Sequence, residues 1–119
     1  MKTTGSQIRV PKGWGHEIWI ANNDVFCGKI LNFNQGKSFS WHYHKLKHEV
    51  FFVQSGRIRL FYGWGDDLES AQDIELSPGD SFDIQIGLRH RILALEDSLV
   101  FEFSSTHFES DSYRIVKGD

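Results

Sequence analysis

The chain has 119 residues, a formal net charge of −3 at pH 7 and 39% hydrophobic residues. This length predicts a single domain over residues 1–119, and because no run of lysine and arginine occurs, we expect neither a nucleic-acid partner nor a membrane surface. The single cysteine, Cys27, excludes an internal disulfide. Because no signal peptide or long apolar stretch is found, the expected location is the cytoplasm.

Hydrophobic residues recur with a period of two along most of the chain, and no long segment has the 3.6-residue period of an amphipathic helix. Clusters of Gly, Asn, Asp and Pro separate the short apolar segments, and Ser77-Pro78-Gly79-Asp80 has the Pro-Gly pair of a type II turn. Many short strands at regular spacing predict an all-β antiparallel sandwich or barrel, with the tail after residue 105 wrapped around it. The predicted strands are 15–21, 25–33, 37–44, 49–54, 57–63, 71–76, 81–85, 90–95 and 99–105.

Three of the six histidines lie in one short stretch, residues 42–48. Side chains alternate along a strand, so His42 and His44 are expected on the same face. The next strand opens with Glu49, whose carboxylate can turn back beside this pair, and a later strand begins with His90. Three imidazoles and one carboxylate form a mixed nitrogen and oxygen site for one divalent transition metal ion, such as Zn, Fe, Mn, Ni or Co. The sequence therefore predicts one metal centre with open positions for water or substrate.

The spacing of these residues resembles that of the cupin superfamily. Residues 36–56 match the first cupin motif without a gap at Gly36, His42, His44, Glu49 and Gly56. Residues 79–94 resemble the second motif at Gly79, Gly87 and His90, with Gln85 and Ala94 where the family usually has Pro and Asn. The resemblance implies the cupin fold, a double-stranded β-helix or jelly-roll barrel.

Residues 10–19, 43–49 and the tail 111–119 resemble one branch of the cupins, the type II mannose-6-phosphate isomerase group, although that group often has Gln where this chain has His42. This resemblance implies an aldose–ketose isomerase or epimerase acting on a sugar or sugar phosphate, with a metal ion that holds substrate oxygens. A phosphate would need cations near the site. The candidates are Arg57, Arg59, Arg89, Arg91 and Lys37, which lie on strands or turns near the site, although each taken singly is more often a solvated surface charge.

Isomerisation also needs a base that moves a proton, and Glu49 and Glu102 are the candidates. Glu102 is an acid in the otherwise apolar strand 99–105, and parity leaves open whether it faces the solvent or the interior. We expect His48 on the face opposite Glu49, as a surface residue or a support for the metal ligands. His16 and His107 are expected to be structural or solvated, although both could reach the mouth of the barrel.

Two other functions remain open. The ligand set suits an Fe(II)-dependent dioxygenase acting on a small molecule equally well, and a non-catalytic sugar-binding or regulatory module is compatible with the same fold.

The faces opposite the predicted ligands are apolar, at Trp41, Tyr43, Val50 and Phe52. A sheet with one solvated face would show polar residues there, so something must cover this surface. Either the N-terminal strands or a second copy of the chain could cover it, and we predict a second copy, in a homodimer.

Overall fold

The computed structural model describes residues 8–119, which form two antiparallel sheets. This confirms the all-β jelly-roll class predicted from the sequence. No helix within the described range is long and apolar enough to cross a membrane. The strands are β1 (Ile8–Lys12), β2 (Gly15–Asn22), β3 (Cys27–Phe33), β4 (Trp41–Tyr43), β5 (Glu49–Ser55), β6 (Ile58–Gly63), β7 (Gln72–Leu76), β8 (Ser81–Ile84), β9 (Arg89–Ala94), β10 (Ser98–Ser104) and β11 (Tyr113–Val116), with 3-10 turns at Leu68–Ser70 and Glu109–Asp111.

The chain crosses repeatedly between the two sheets. One sheet has the order β1-β2-β3-β10-β5-β8 and the other the order β11-β4-β9-β6-β7. Buried and half-buried residues alternate along β3 and β9, as the period of two requires. The buried faces meet in one core, where each large apolar side chain contributes about 1.5–3 kcal/mol on full burial. This core includes Leu31, Phe33, Phe51, Val53, Ile58, Leu60, Ile84, Ile92 and Val100.

The predicted strands are present with shifted ends, and two further strands appear. Of the predicted strand 37–44, only Trp41–Tyr43 is a regular strand. The unpredicted β1 is an edge strand containing Pro11, which fits there because an edge strand needs fewer backbone N–H groups. The polar tail forms β11, which pairs with β4. The predicted type II turn is present, because Gly79 has a φ of 94° and Asp80 N donates to Ser77 O at 2.9 Å.

The prediction that Trp41 needs a partner chain to cover it is wrong. Its side chain is completely buried, at 0% exposure, and its indole Nε1 donates to the carbonyl of Asp66 at 2.8 Å. Tyr43 is half-buried and stacks on Tyr113 of β11, with ring centroids 5.2 Å apart. The chain's own β6–β7 connection and C-terminal strand therefore contact these two residues.

The outer face of the six-stranded sheet is more open. In the pairing of β5 with β10, Val50 lies opposite Phe103, and Phe52 lies opposite Phe101. Val50, Phe52 and Phe101 are half-buried, whereas Phe103 is 57% exposed. We call these four residues the outer patch.

Candidate metal centre

Three histidines from the five-stranded sheet and from the residues that follow β4 form a cluster. His42 of β4 and His90 of β9 are cross-strand partners in the five-stranded sheet, and His44 follows two residues after His42. Their ligand atoms all lie within 4.8 Å of one another. The three histidines are positioned to bind one metal ion.

Each of the three rings is oriented by a backbone carbonyl. The Nδ1 atom of His42 donates to Ser40 O at 2.7 Å, that of His44 to Asp111 O at 2.9 Å, and that of His90 to Leu88 O at 2.9 Å. A carbonyl can only accept a hydrogen bond, so Nδ1 carries the proton in each ring. The Nε2 lone pairs are therefore left for a metal ion, as in most histidine metal sites.

Glu49, the first residue of β5, completes the cluster from the other sheet. Its Oε2 atom lies 3.1 Å from His44 Nε2 and 3.3 Å from His90 Nε2. Both Glu49 Oε2 and His90 Nε2 are buried, and neither has a hydrogen-bond partner within the described residues 8–119. Buried polar atoms are rarely left unpartnered, and a cation among these ligand atoms would satisfy both. Three imidazoles and one carboxylate are a donor set that fits a divalent transition metal.

The ionisation of these groups also suits a metal ion. Burial, helped by the neighbouring His90 and His44, lowers the pKa of His42 well below its usual value, so this ring is neutral at pH 7. Burial alone would raise the pKa of Glu49, but the charge of Lys47 and the adjacent histidines hold this pKa well below its usual range. Metal ligands must be deprotonated, and these two groups already are.

Lys47, which the sequence analysis did not single out, links the metal cluster to a second carboxylate. Its side chain is only 3% exposed, and Nζ lies 3.0 Å from Glu102 Oε2 and 3.9 Å from Glu49 Oε1. Burial acts to lower the pKa of Lys47, but the two carboxylates raise it above its ordinary value. Lys47 is therefore a buried cation between two carboxylates.

Alternation along the strand left open whether Glu102 faces the solvent or the interior, and the structure answers this. Its side chain faces the interior and the residue is 5% exposed. Its Oε2 atom accepts hydrogen bonds from Lys47 Nζ at 3.0 Å and from Ser104 Oγ at 3.3 Å. In register, Glu102 lies between Lys29 of β3 and Phe51 of β5.

Two histidines outside the cluster differ in their surroundings. His48 is on the surface, where it contacts Asp83. His107 lines the same cavity as the histidine cluster, and its Nδ1 lies 3.2 Å from Lys47 Nζ. Burial, followed by the charges of Lys47 and Lys29, lowers the pKa of His107 to about 4. His107 is therefore neutral at pH 7, and it lines the cavity, which is the less favoured of the two positions that the sequence left open for it.

A cavity of about 300 Å³ opens over the cluster. The candidate cations for a phosphate, Arg57, Arg59, Arg89, Arg91 and Lys37, do not line this cavity. The four arginines alternate with the inward-facing Ile58, Leu60, His90 and Ile92 and therefore point outward. Other cations line the cavity: Lys12, Lys29, Lys47, Arg114 and Lys117.

The fold and the three histidines together define a small metal-binding jelly-roll protein. The chain matches the family described as Cupin domain over residues 29–105, and it belongs to the cupin family. No curated protein matches the chain in sequence.

Solved structures share the fold at low sequence identity. KdgF from Halomonas sp. has a TM-score of 0.69 and 23% identity, over 80% of this chain and 81% of that one. The capsular polysaccharide assembling protein CapF from Staphylococcus aureus has a TM-score of 0.81 and 19% identity, over 95% of this chain and 32% of that one. Oxalate decarboxylase from Bacillus subtilis has a TM-score of 0.75 and 17% identity, over 91% of this chain and 30% of that one. The chain thus spans about a third of CapF and of oxalate decarboxylase, and these likenesses show the fold alone.

Proposed function

We propose that the protein is a metal-dependent isomerase or epimerase of a sugar or sugar phosphate, with His42, His44, Glu49 and His90 as the ligands of one divalent transition metal ion. The observation that carries the proposal is the pair of buried, unpartnered ligand atoms, Glu49 Oε2 and His90 Nε2, beneath a cavity of about 300 Å³. When bound, such an ion would hold substrate oxygens and stabilise negative charge that develops on them. The resemblance of residues 10–19, 43–49 and 111–119 to the mannose-6-phosphate isomerase group supports the substrate class.

The proposed general base is Glu102. Of the two candidate carboxylates, Glu49 directs Oε2 at His44 and His90, which suits a ligand better than a base. Glu102 faces the same cavity, and within residues 8–119 its hydrogen bonds engage only Oε2. The Lys47 contact fixes the Glu102 carboxylate in place, so that its other oxygen can take a proton from a carbon atom of the substrate.

The cavity wall supports a ligand with an anionic group. Lys12, Arg114 and Lys117 line the cavity and make no ion pair within residues 8–119. Unpaired cations beside a cleft attract and orient anions. We therefore expect a sugar phosphate, or another anionic sugar derivative, to bind more tightly than the neutral sugar.

The proposal is tested by loading the protein with each of the five metals and incubating it with a panel of sugars and sugar phosphates in D₂O. If the protein is an isomerase, the C1 or C2 proton of the substrate should exchange with solvent deuterium, and NMR measures this exchange. His42→Ala should lose both bound metal and exchange, whereas His48→Ala, which removes a surface histidine, should keep both. Exchange that persists unchanged after chelation would contradict the proposal.

The role of Glu102 has its own test. Glu102→Gln keeps the size of the side chain and should leave metal content unchanged, while the turnover number falls by about 10²–10⁴, the typical cost of losing a general base. Wild-type turnover in this variant would remove Glu102 from the mechanism and leave Glu49 as the remaining candidate.

An Fe(II)-dependent dioxygenase is the second candidate function, because the same donor set of three imidazoles and one carboxylate suits Fe(II). Oxygen uptake by the iron-loaded protein in the presence of a small-molecule substrate would favour it. Saturable sugar binding with neither proton exchange nor oxygen uptake would favour a non-catalytic binding module.

We also propose that the chain acts as a homodimer joined through the outer patch of Val50, Phe52, Phe101 and Phe103. Phe103 is 57% exposed, and adjacent apolar side chains on an open sheet face are a common basis of self-association. A stable interface would bury at least about 1,000 Å² in total.

A further inference from the structure

The loop between two proposed metal ligands is held by a residue from the other end of the chain. Residues 45–48 connect His44 to Glu49, and Asp111, in the second 3-10 turn, lies beside the first three of them. The Asp111 carboxylate accepts three backbone N–H groups, from Lys45 at 2.8 Å, from Leu46 at 3.1 Å and from Lys47 at 3.0 Å. Asp111 is 2% exposed, so these contacts are made out of water.

Asp111 also contacts a metal ligand directly through its backbone. Its carbonyl oxygen accepts the Nδ1 proton of His44 at 2.9 Å. One residue thus fixes the orientation of one ligand ring and the path of the loop that leads to Glu49. Hydrogen bonds to an ionised carboxylate are stronger than those between neutral groups, and without this carboxylate the N–H group of the buried Lys47 would lose its partner.

The rest of the C-terminal segment holds Asp111 in place. Tyr113 stacks on Tyr43, and at the far end Asp119 Oδ2 accepts the N–H group of Ser38 at 2.8 Å. Segment 111–119 therefore lies along β4 and is tied to the chain on both sides of the ligand-bearing residues. Because its own segment is held in this way, Asp111 can hold residues 45–47 in one position.

We propose that Asp111 is a positioning residue of the metal centre, which holds His44 and Glu49 in their binding arrangement before the metal ion arrives. It acts through these two residues and does not itself contact the ion. Residues that orient metal ligands typically change metal affinity by about 10–100-fold when they are replaced. This inference rests on the metal site of the proposed function, but not on the reaction or the substrate.

The test is a Co²⁺ titration of the full chain, because Co²⁺ reports both affinity and ligand geometry in its visible absorption spectrum. Asp111→Asn keeps the size of the side chain and removes its charge, and we expect it to weaken Co²⁺ binding by about 10–100-fold and to change the absorption bands. The matched control is Asp97→Asn, because Asp97 also accepts a backbone N–H group, from Gln35 at 2.8 Å, but in a turn without ligands. This control should bind Co²⁺ as the wild type does.

Urea unfolding of the metal-free variants separates ligand positioning from general destabilisation. If Asp111→Asn is unfolded at 25 °C, the titration is made with Asp111→Glu, which keeps the charge but displaces the loop by one methylene. Wild-type affinity and spectrum in either folded variant would overturn the inference and leave the proposed function untouched. An equal loss in Asp97→Asn would also overturn it. Failure of the wild type itself to bind Co²⁺ would refute the metal site and this inference together.

Discussion

Replacing Lys47 by methionine should destabilise the metal-free protein severely, although it preserves most of the side-chain volume. Lys47 is 3% exposed and lies 3.0 Å from Glu102 and 3.9 Å from Glu49. Without it, two buried carboxylates face each other with no cation between them. Removing one partner from a buried ion pair typically costs about 3–5 kcal/mol, which is a large part of the roughly 5–15 kcal/mol that stabilises a domain.

Urea unfolding at pH 7, followed by tryptophan fluorescence in the presence of a chelator, measures this loss. Lys37, which is exposed and makes no ion pair within residues 8–119, provides the control, and Lys37→Met should change the free energy of unfolding by no more than about 0.5 kcal/mol. In the double variant Lys47→Met/Glu102→Gln, which also removes the orphaned charge, we expect part of the lost stability to return. If Lys47→Met lowers the free energy of unfolding by less than about 1 kcal/mol, and the slope of this free energy against urea concentration is unchanged, the argument that Lys47 compensates buried charge is refuted.

Three further predictions follow from the structure. Chelation should lower the melting temperature by about 10 °C if the metal was present at 100 times its dissociation constant. Unfolding should stay cooperative because the core is apolar, and calorimetry that shows no cooperative transition after chelation would contradict this. The pKa of His107 is lowered to about 4 in the folded state, so the contribution of its neutral ring to folding stability is present above pH 6.5 and is lost as the pH falls towards 4. Compared with His107→Asn, the wild type should lose about 1–2 kcal/mol of unfolding free energy over that range after screening is allowed for. Urea unfolding that depends on pH equally in the two proteins would disprove this. Phe103→Glu in the outer patch should convert a dimer to a monomer of 13.8 kDa by light scattering, and a wild type that is already monomeric at micromolar concentration would end the dimer proposal.

The part of the metal cluster formed by His42, His44 and Glu49 was predictable because its geometry is local, whereas His90 was indicated by its position at the start of a later strand and by the resemblance to the second cupin motif. His42 and His44 share a face through simple alternation, and the following turn returns the chain to Glu49. The outward position of the phosphate candidates was also within reach of the sequence, since Arg89 and Arg91 flank His90 and must point away from it. Alternation along the strand therefore favours the interpretation of these arginines as surface charges over that of a phosphate site.

Other parts of the site depend on contacts that leave no local pattern. The alternation of side chains along β10 places Glu102 on the face opposite its neighbours, but it does not tell which face is inside. The pairing of β10 with β3 and β5 decides which face is inside. Lys47 lies in a turn, where alternation predicts nothing. Asp111 is separated from its hydrogen-bond partners by 64 to 67 positions, so only the folded chain brings them together.

The proposed ligands are divided between the two sheets, with His42 and His90 on one and Glu49 on the other. An ion held by all three would link the two sheets beside the cavity, in addition to the backbone pairing within each sheet. This link would exist only while the metal is bound. The metal-loaded and metal-free forms would then differ in how firmly the two sheets are held together at this place.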